Sequence, residues 1–192
     1  MRLKNIAQVI HGYTFRGSIK PENNGNVLVF QAKDLIQSKP VTSIESLARI
    51  MLLTKGYAGY LRKHDVLLVA RGMKSGAFRS TIFMSDVREV IPSSSVLVVR
   101  MTNEGVLPEY VSHYLNSDKG QSDLSEIVSG SYIGAILRKD LEDIEIPVPS
   151  MQKQKIIVNL YHNIQEQQKI VDREIEIKSN IINSLFRKVA TL

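Results

Sequence analysis

The chain contains no cysteine. Disulfides and thiolate metal sites are therefore excluded, and the composition suits a reducing compartment. Long apolar runs are also missing. Every hydrophobic stretch falls far short of the roughly 20 residues a membrane span requires. The opening MRLKNIAQVIHG has neither a long apolar segment nor a small-residue cleavage site, so no signal peptide is expected. These absences lead us to expect an intracellular, cytoplasmic protein without membrane contact. Histidine is scarce and scattered: His11, His64, His113 and His162 show no HxH or HExxH spacing, which removes the usual support for a histidine metal centre. Glycine and proline are absent from residues 151–189, a breaker-free run found nowhere else in the chain.

Other catalytic frames are missing too. Gly72-Met73-Lys74-Ser75-Gly76 lacks the GxxxxGK[ST] frame of a phosphate loop and reads as a tight turn, with a backbone or Lys74 contact to a nucleic-acid phosphate left open. There is no GxGxxG, and no Asn/Asp-Pro-Pro-aromatic tetrad of an adenine methyltransferase. Glu176-Ile177-Lys178 matches the tail of a nuclease signature but lies in the breaker-free run, where it reads as surface charge. Asp140, Glu142, Asp143 and Glu145 read as a helix N-terminal charge pattern rather than a metal site. The expectation is a non-enzymatic protein with no catalytic residue, metal or cofactor.

What is present is size, apolar content and positive charge. The 192 residues, 43% hydrophobic and 23% charged, can bury a substantial core. The net charge is +6, and between Lys55 and Arg79 six basic residues (Lys55, Arg62, Lys63, Arg71, Lys74, Arg79) face one acid, Asp65. Such an excess fits either a polyanionic partner or an ordinary solvated face.

Residues 1–149 are strand-rich. Val27–Phe30, Val66–Ala70, Ala77–Met84 and Val96–Met101 read as strands. Pro108–Leu115 reads as a helix, with Tyr110, Val111, Tyr114 and Leu115 on one face, and a second helix is expected from Ser117-Asp118. Strands and helices do not alternate regularly, so the fold class expected is α+β with a mixed or antiparallel sheet and short helices.

Two prolines in Ile146-Pro147-Val148-Pro149-Ser150 forbid a helix there. Ser150 is placed to cap the next element, a helix of about 39 residues and roughly 58 Å. Its apolar stripe, Leu160, Ile164, Val171, Ile175, Ile182 and Phe186, steps alternately by four and seven, an 11-residue repeat suited to an almost straight rod. Ile156, Ile157, Ile170, Ile177, Ile181 and Leu185 lie off that stripe and widen the apolar arc, leaving room for a second partner or for docking on the globular part. The stripe favours a partner helix, and a homodimer is the simplest form.

Taken in order, these segments resemble a known family. Leu3-Lys4-Asn5-Ile6-Ala7-Gln8-Val9-Ile10-His11-Gly12-Tyr13-Thr14-Phe15 is similar to the opening of a target-recognition domain in type I restriction-modification specificity subunits. Asp65-Val66-Leu67-Leu68-Val69-Ala70-Arg71-Gly72 resembles the family's strand and turn, and Pro108–Val111 with Tyr114–Ser117 its helix. Gly130-Ser131-Tyr132-Ile133 and Leu141–Gln154 (LEDIEIPVPSMQKQ) resemble the closing signature, with Lys153 where Glu is common. Family members usually carry two recognition domains, each followed by a long helix, the two helices packed antiparallel. Only one such unit is present, so the chain resembles a half-subunit, natural or split.

The resemblance implies a DNA target-recognition domain over 1–149 and a dimerisation or spacer helix over 150–192. It also implies a sequence-specific reader of one half of a bipartite site in double-stranded DNA, which positions methyltransferase subunits and, through them, a restriction subunit. Charge and turn chemistry, not a family motif, single out Arg71, Lys74, Arg79, Lys33 and Arg16 as DNA-contact candidates. Arg71 could equally be structural, and Tyr132 could face DNA or be buried. Two other readings stay open. One is a structural adaptor oligomerising through its helix with only non-specific nucleic-acid binding. The other is a small metal-dependent nuclease.

Overall fold

The computed structural model describes residues 1–52, 57–72, 78–129 and 134–189. Among them the strands are β1 (Ala7–His11), β2 (Val27–Phe30), β3 (Ala48–Ile50), β4 (Val66–Val69), β5 (Arg71–Gly72), β6 (Ser80–Ile82), β7 (Val90–Pro92), β8 (Val96–Met101), β9 (Val128–Ser129) and β10 (Gly134–Ile136). The α-helices are α1 (Pro108–Asn116), α2 (Asp118–Glu126), α3 (Arg138–Asp143) and α4 (Met151–Val189). Two compact units emerge, Met1–Gln154 and Lys155–Leu192.

In the first unit a four-stranded antiparallel sheet runs β1-β8-β4-β6. A second sheet, β3-β2-β7, is mixed: β2 is antiparallel to β3 and parallel to β7. A third, small antiparallel sheet runs β5-β10-β9. The architecture is the α+β class with mixed and antiparallel sheets and short helices.

Alternation along the strands explains the packing. Leu28 and Phe30 of β2 and Val90 of β7 meet Leu67 and Val69 of β4 and Val96 and Val98 of β8 in the main core. Val27, Val29 and Ile91 point the other way, where Tyr13, Phe15, Ile19, Tyr57 and Tyr60 cover them. A strand covered on both faces is apolar at every position, which is why Val27–Phe30 reads as an unbroken run. On the free face of the four-stranded sheet α1 packs against β4 and β6, burying Tyr110, Val111 and Leu115.

The helix boundaries follow their chemistry. Pro108 opens α1 after an extended Leu107, where its missing N–H costs nothing. Ser117 caps α2 by accepting from the Gly120 N–H. Position 120 must be glycine, because a Cβ there would stand 1.9 Å from the Tyr114 carbonyl oxygen. The strand expected over Ala77–Met84 is shorter: β6 covers Ser80–Ile82. After it, Phe83 and Met84 turn their amides to Asp65 and Val41.

The two ends of the first unit meet. The Leu3 amide donates to the Ile144 carbonyl at 2.9 Å, the Ile146 amide to the Met1 carbonyl at 2.8 Å, and the backbones of Arg2 and Glu145 form an antiparallel β-bridge. This corrects the reading of the acidic cluster. Only Asp140 stands in the first turn of α3; Glu142 pairs with Arg138 four residues back, and Asp143 pairs with Lys4 at 2.7 Å and Arg2 at 3.8 Å. The hydrogen bond from Lys4 is the main reason the Asp143 carboxyl titrates below its ordinary value. Of these acids it is Asp143 whose side chain fastens the closing segment to the opening one.

The second unit is the remainder of α4. Leu160, Ile164, Val171, Ile175, Ile182 and Phe186 are all exposed, from 46% at Val171 to 69% at Phe186. At about 100° per residue, Ile157 falls within the main stripe rather than beside it, being three residues before Leu160 and seven before Ile164. Ile156, Ile170, Ile177, Ile181 and Leu185 form a separate exposed band. No helix among the described residues is long and apolar enough to cross a membrane.

Candidate nucleic-acid interface

One end of the four-stranded sheet gathers most of the candidate cations. The register pairs His11 with Leu97, Leu97 with Leu68, and Leu68 with Ser80. The Val69 amide then donates to the Arg79 carbonyl at 2.9 Å. Past this end the chain continues through Ala70, tied to Ser95 and Ile136, into Arg71, which pairs with Ala135 and is exposed.

Arg79 is half-buried, and its Nη2 donates to the Ala32 carbonyl at 3.4 Å. That carbonyl begins the 3-10 turn Ala32–Asp34, whose Lys33 is exposed. The fold thus brings Arg71, Arg79 and Lys33 to one sheet end, although Lys33 lies 38 and 46 residues from the two arginines in sequence. Arg79 does more than offer charge, since one guanidinium nitrogen holds the loop that carries Lys33.

Arg16 is carried by the segment that follows β1. It is exposed after Phe15, which with Tyr13, Tyr57 and Tyr60 covers the outer face of the second sheet. Burial, with Tyr60 and Tyr13 adding to it, pushes the Tyr57 phenol up to about 12, so it stays neutral. Lys74 and Tyr132 lie outside the described residues, and so does Lys55.

Gly12 shapes the approach to this end. A Cβ at that position would stand 2.0 Å from the Ser93 carbonyl oxygen, so only glycine lets β1 pass into the Tyr13–Ser93 bridge. That accounts for the glycine in the opening motif.

Two residues that matter structurally were not singled out from the sequence. Asp65, noted as the lone acid among cations and as the first residue of the family-like strand and turn but given no role, is buried with 2% of its side chain exposed, and Arg100 grips it bidentately at 2.8 and 2.7 Å. Asp65 also accepts from the Arg62 amide at 2.7 Å, and Arg100 donates to the Tyr60 carbonyl at 2.8 Å. A fully hydrogen-bonded arrangement of this kind holds the turn into β4, with His64 at φ 70°. The signal was there: an aspartate directly before a buried strand.

Gln154 is the second. It is fully buried; its Oε1 accepts from the Leu107 amide at 2.9 Å, and its Nε2 donates to the Gly105 and Pro149 carbonyls at 2.9 Å each. It is the glutamine of the closing signature, and it fastens the first turn of α4 to the loop before α1. No arrangement of acids and histidines among the described residues could hold a metal ion.

An α+β domain with cations gathered at one sheet end, followed by a long helix with an exposed apolar stripe, has the layout of a recognition module rather than a catalytic cleft. The family comparison gives that class a name: the model of the type I restriction modification DNA specificity domain matches residues 1–185, and the chain belongs to this family.

No curated protein sequence matches the chain. Among solved structures, a chain from work on the assembly and conformational transition of the type I R-M system aligns with a TM-score of 0.63 at 20% identity, covering 90% of this chain and 39% of that one. The HsdS subunit from Thermoanaerobacter tengcongensis aligns at 0.61 and 23% identity, covering 90% and 38%. A type I S subunit from M. genitalium aligns at 0.56 and 14%, covering 92% and 41%. The chain therefore spans about two-fifths of the length of these subunits, and the likeness shows the fold.

Proposed function

We propose that this chain is a DNA-reading specificity component of a type I restriction-modification complex, without chemistry of its own, working in the cytoplasm. Residues 1–149 serve as the target-recognition domain and 150–192 as the dimerisation and spacer helix. The domain reads one half of a bipartite site in double-stranded DNA. The assembled protein then positions methyltransferase subunits and, through them, a restriction subunit. The observation that carries this reading is the family match across residues 1–185. The gathering of Arg71, Arg79 and Lys33 at one sheet end supports it, because phosphate neutralisation supplies most of the affinity for a duplex. Lys74 and Arg16 remain candidates for further DNA contacts.

A homodimer through α4 rests on the spacing of its stripe. Steps of four, seven, four, seven and four read the same in both directions. A second copy laid antiparallel and centred at position 173 therefore sets Val171 against Ile175, Ile164 against Ile182, and Leu160 against Phe186, without offset. Two recognition domains related by a two-fold axis then demand a palindromic split target. The test is light scattering on the full chain beside a salt titration of duplex binding. A dimer whose DNA affinity falls steeply with salt is expected. A monomer would overturn the homodimer, and binding that ignores sequence in a competition assay would favour a non-specific adaptor.

A further inference from the structure

The loop between β2 and Val41 is held more firmly than an ordinary surface connection. Its 3-10 turn is closed by the Gln31 amide donating to the Asp34 carboxylate at 2.8 Å, and Leu35 is fully buried in the main core. The Ser38 amide donates to the Ser80 carbonyl at 3.0 Å, and Asn116 Nδ2 donates to Ser38 Oγ at 3.0 Å. Thr81 Oγ1 donates to the Lys39 carbonyl, and the Val41 amide donates to Ile82 at 2.8 Å. Arg79 adds its bond to Ala32. Residues 31–41 are thus strapped along β6, the edge strand of the four-stranded sheet.

Between these anchors Lys33, Ile36, Gln37 and Lys39 are exposed, and Ile36 leaves 56% of its surface open. A single exposed isoleucine is ordinary in itself. Here it adjoins an amide side chain, lies between two lysines, and sits on a pinned loop beside the arginines of the sheet end. Asp34, the loop's only acid, is committed to its own turn. A rigid platform carrying one amide, one apolar group and two cations has the chemistry that duplex recognition uses: amides for adenine edges, apolar groups for thymine methyls, lysines for phosphates.

We infer that residues 33–39 form a second DNA-reading segment, in which Gln37 sets base preference, Ile36 packs against a base-edge methyl, and Lys33 and Lys39 hold phosphates. This rests on the specificity reading above. The experiment is selection of bound sequences from a random duplex library by the full chain, its Gln37→Ala variant, and a Lys33→Gln/Lys39→Gln double variant.

The wild type selects a motif. Gln37→Ala selects the same motif with preference lost at one or two adjoining positions, and binds the original site about tenfold more weakly. The double lysine variant keeps the motif and binds every sequence more weakly, with its salt dependence reduced by about two phosphate contacts. Unchanged melting temperatures keep folding out of the comparison. An unaltered motif in Gln37→Ala overturns the inference while the specificity reading stands. A wild type that selects no motif removes both.

Discussion

The two units of this protein treat apolar residues in opposite ways. In Met1–Gln154 most of the large aliphatic and aromatic side chains are buried, Ile36 and Leu137 being among the exceptions, and Leu67, Leu68, Val98 and Val99 have no exposure at all. In Lys155–Leu192 the same residue types stand open: Ile164 at 60%, Ile175 at 57%, Phe186 at 69%. The breaker-free sequence of α4 favours helix by local propensity, yet burying its stripe requires something outside that segment. One unit carries its stability within itself, and the other carries a surface that asks for a partner.

Substitution can break that contrast. Replacing Val171 and Ile175 together with glutamate puts charge at the centre of the proposed antiparallel seam. Complete loss of the dimer by light scattering is expected, with the melting temperature of the first unit unchanged. An intact dimer would mean that the seam lies on another face. Within the first unit the largest effect belongs to Asp65. Asp65→Ala leaves the largely covered Arg100, 14% of whose side chain is exposed, without its carboxylate, which should cost about 3 kcal/mol in chemical denaturation. A change below about 1 kcal/mol would show that water replaces the pair, contrary to the packing described.

Gln154 sharpens the boundary, because it stands on α4 but is buried in the first unit. Gln154→Ala orphans the Leu107 amide and two carbonyls, for an expected loss of about 1–3 kcal/mol read from the unfolding of that unit. The same substitution at exposed Gln167 should leave stability unaltered.

The smallest effect is on pH. Burial lowers the His113 pKa below its ordinary 6.5, with Glu109 opposing the shift. The unfolded chain therefore takes up the proton first as pH falls, so the first unit should lose stability as pH drops below 6.5 and recover it above. His113→Gln should flatten that limb of a stability-versus-pH curve, whereas an unchanged slope would assign it to another group.

The physics of each element decides how much of the fold was legible in the sequence. β2, β4 and β8 were visible because burial on both faces made them continuous apolar runs. α1 and α2 announced themselves through Pro108 and Ser117. β3 was not visible: Ala48-Arg49-Ile50 has one core-facing residue and no pattern to detect. β7 ends in Pro92, a residue that argues against strand but is tolerated at a sheet edge, where no partner needs its missing N–H.

Among the candidate contacts, Arg71 and Arg79 were close in sequence. Lys33 joined them through long-range contacts, the hydrogen bond from Arg79 to Ala32 and those that strap its loop along β6, which no local pattern records. Asp65 and Gln154 lay in recognised motifs, but their roles depend on partners 35 and 47 residues away.

The measurement that tests the central claim most directly is selection of bound duplexes from a random library by the full-length chain, at a stated salt concentration. The account predicts a motif of two inverted half-sites separated by a spacer of fixed length, each half read by one copy. Recovery of a single undivided motif, or of no motif above background, would contradict it.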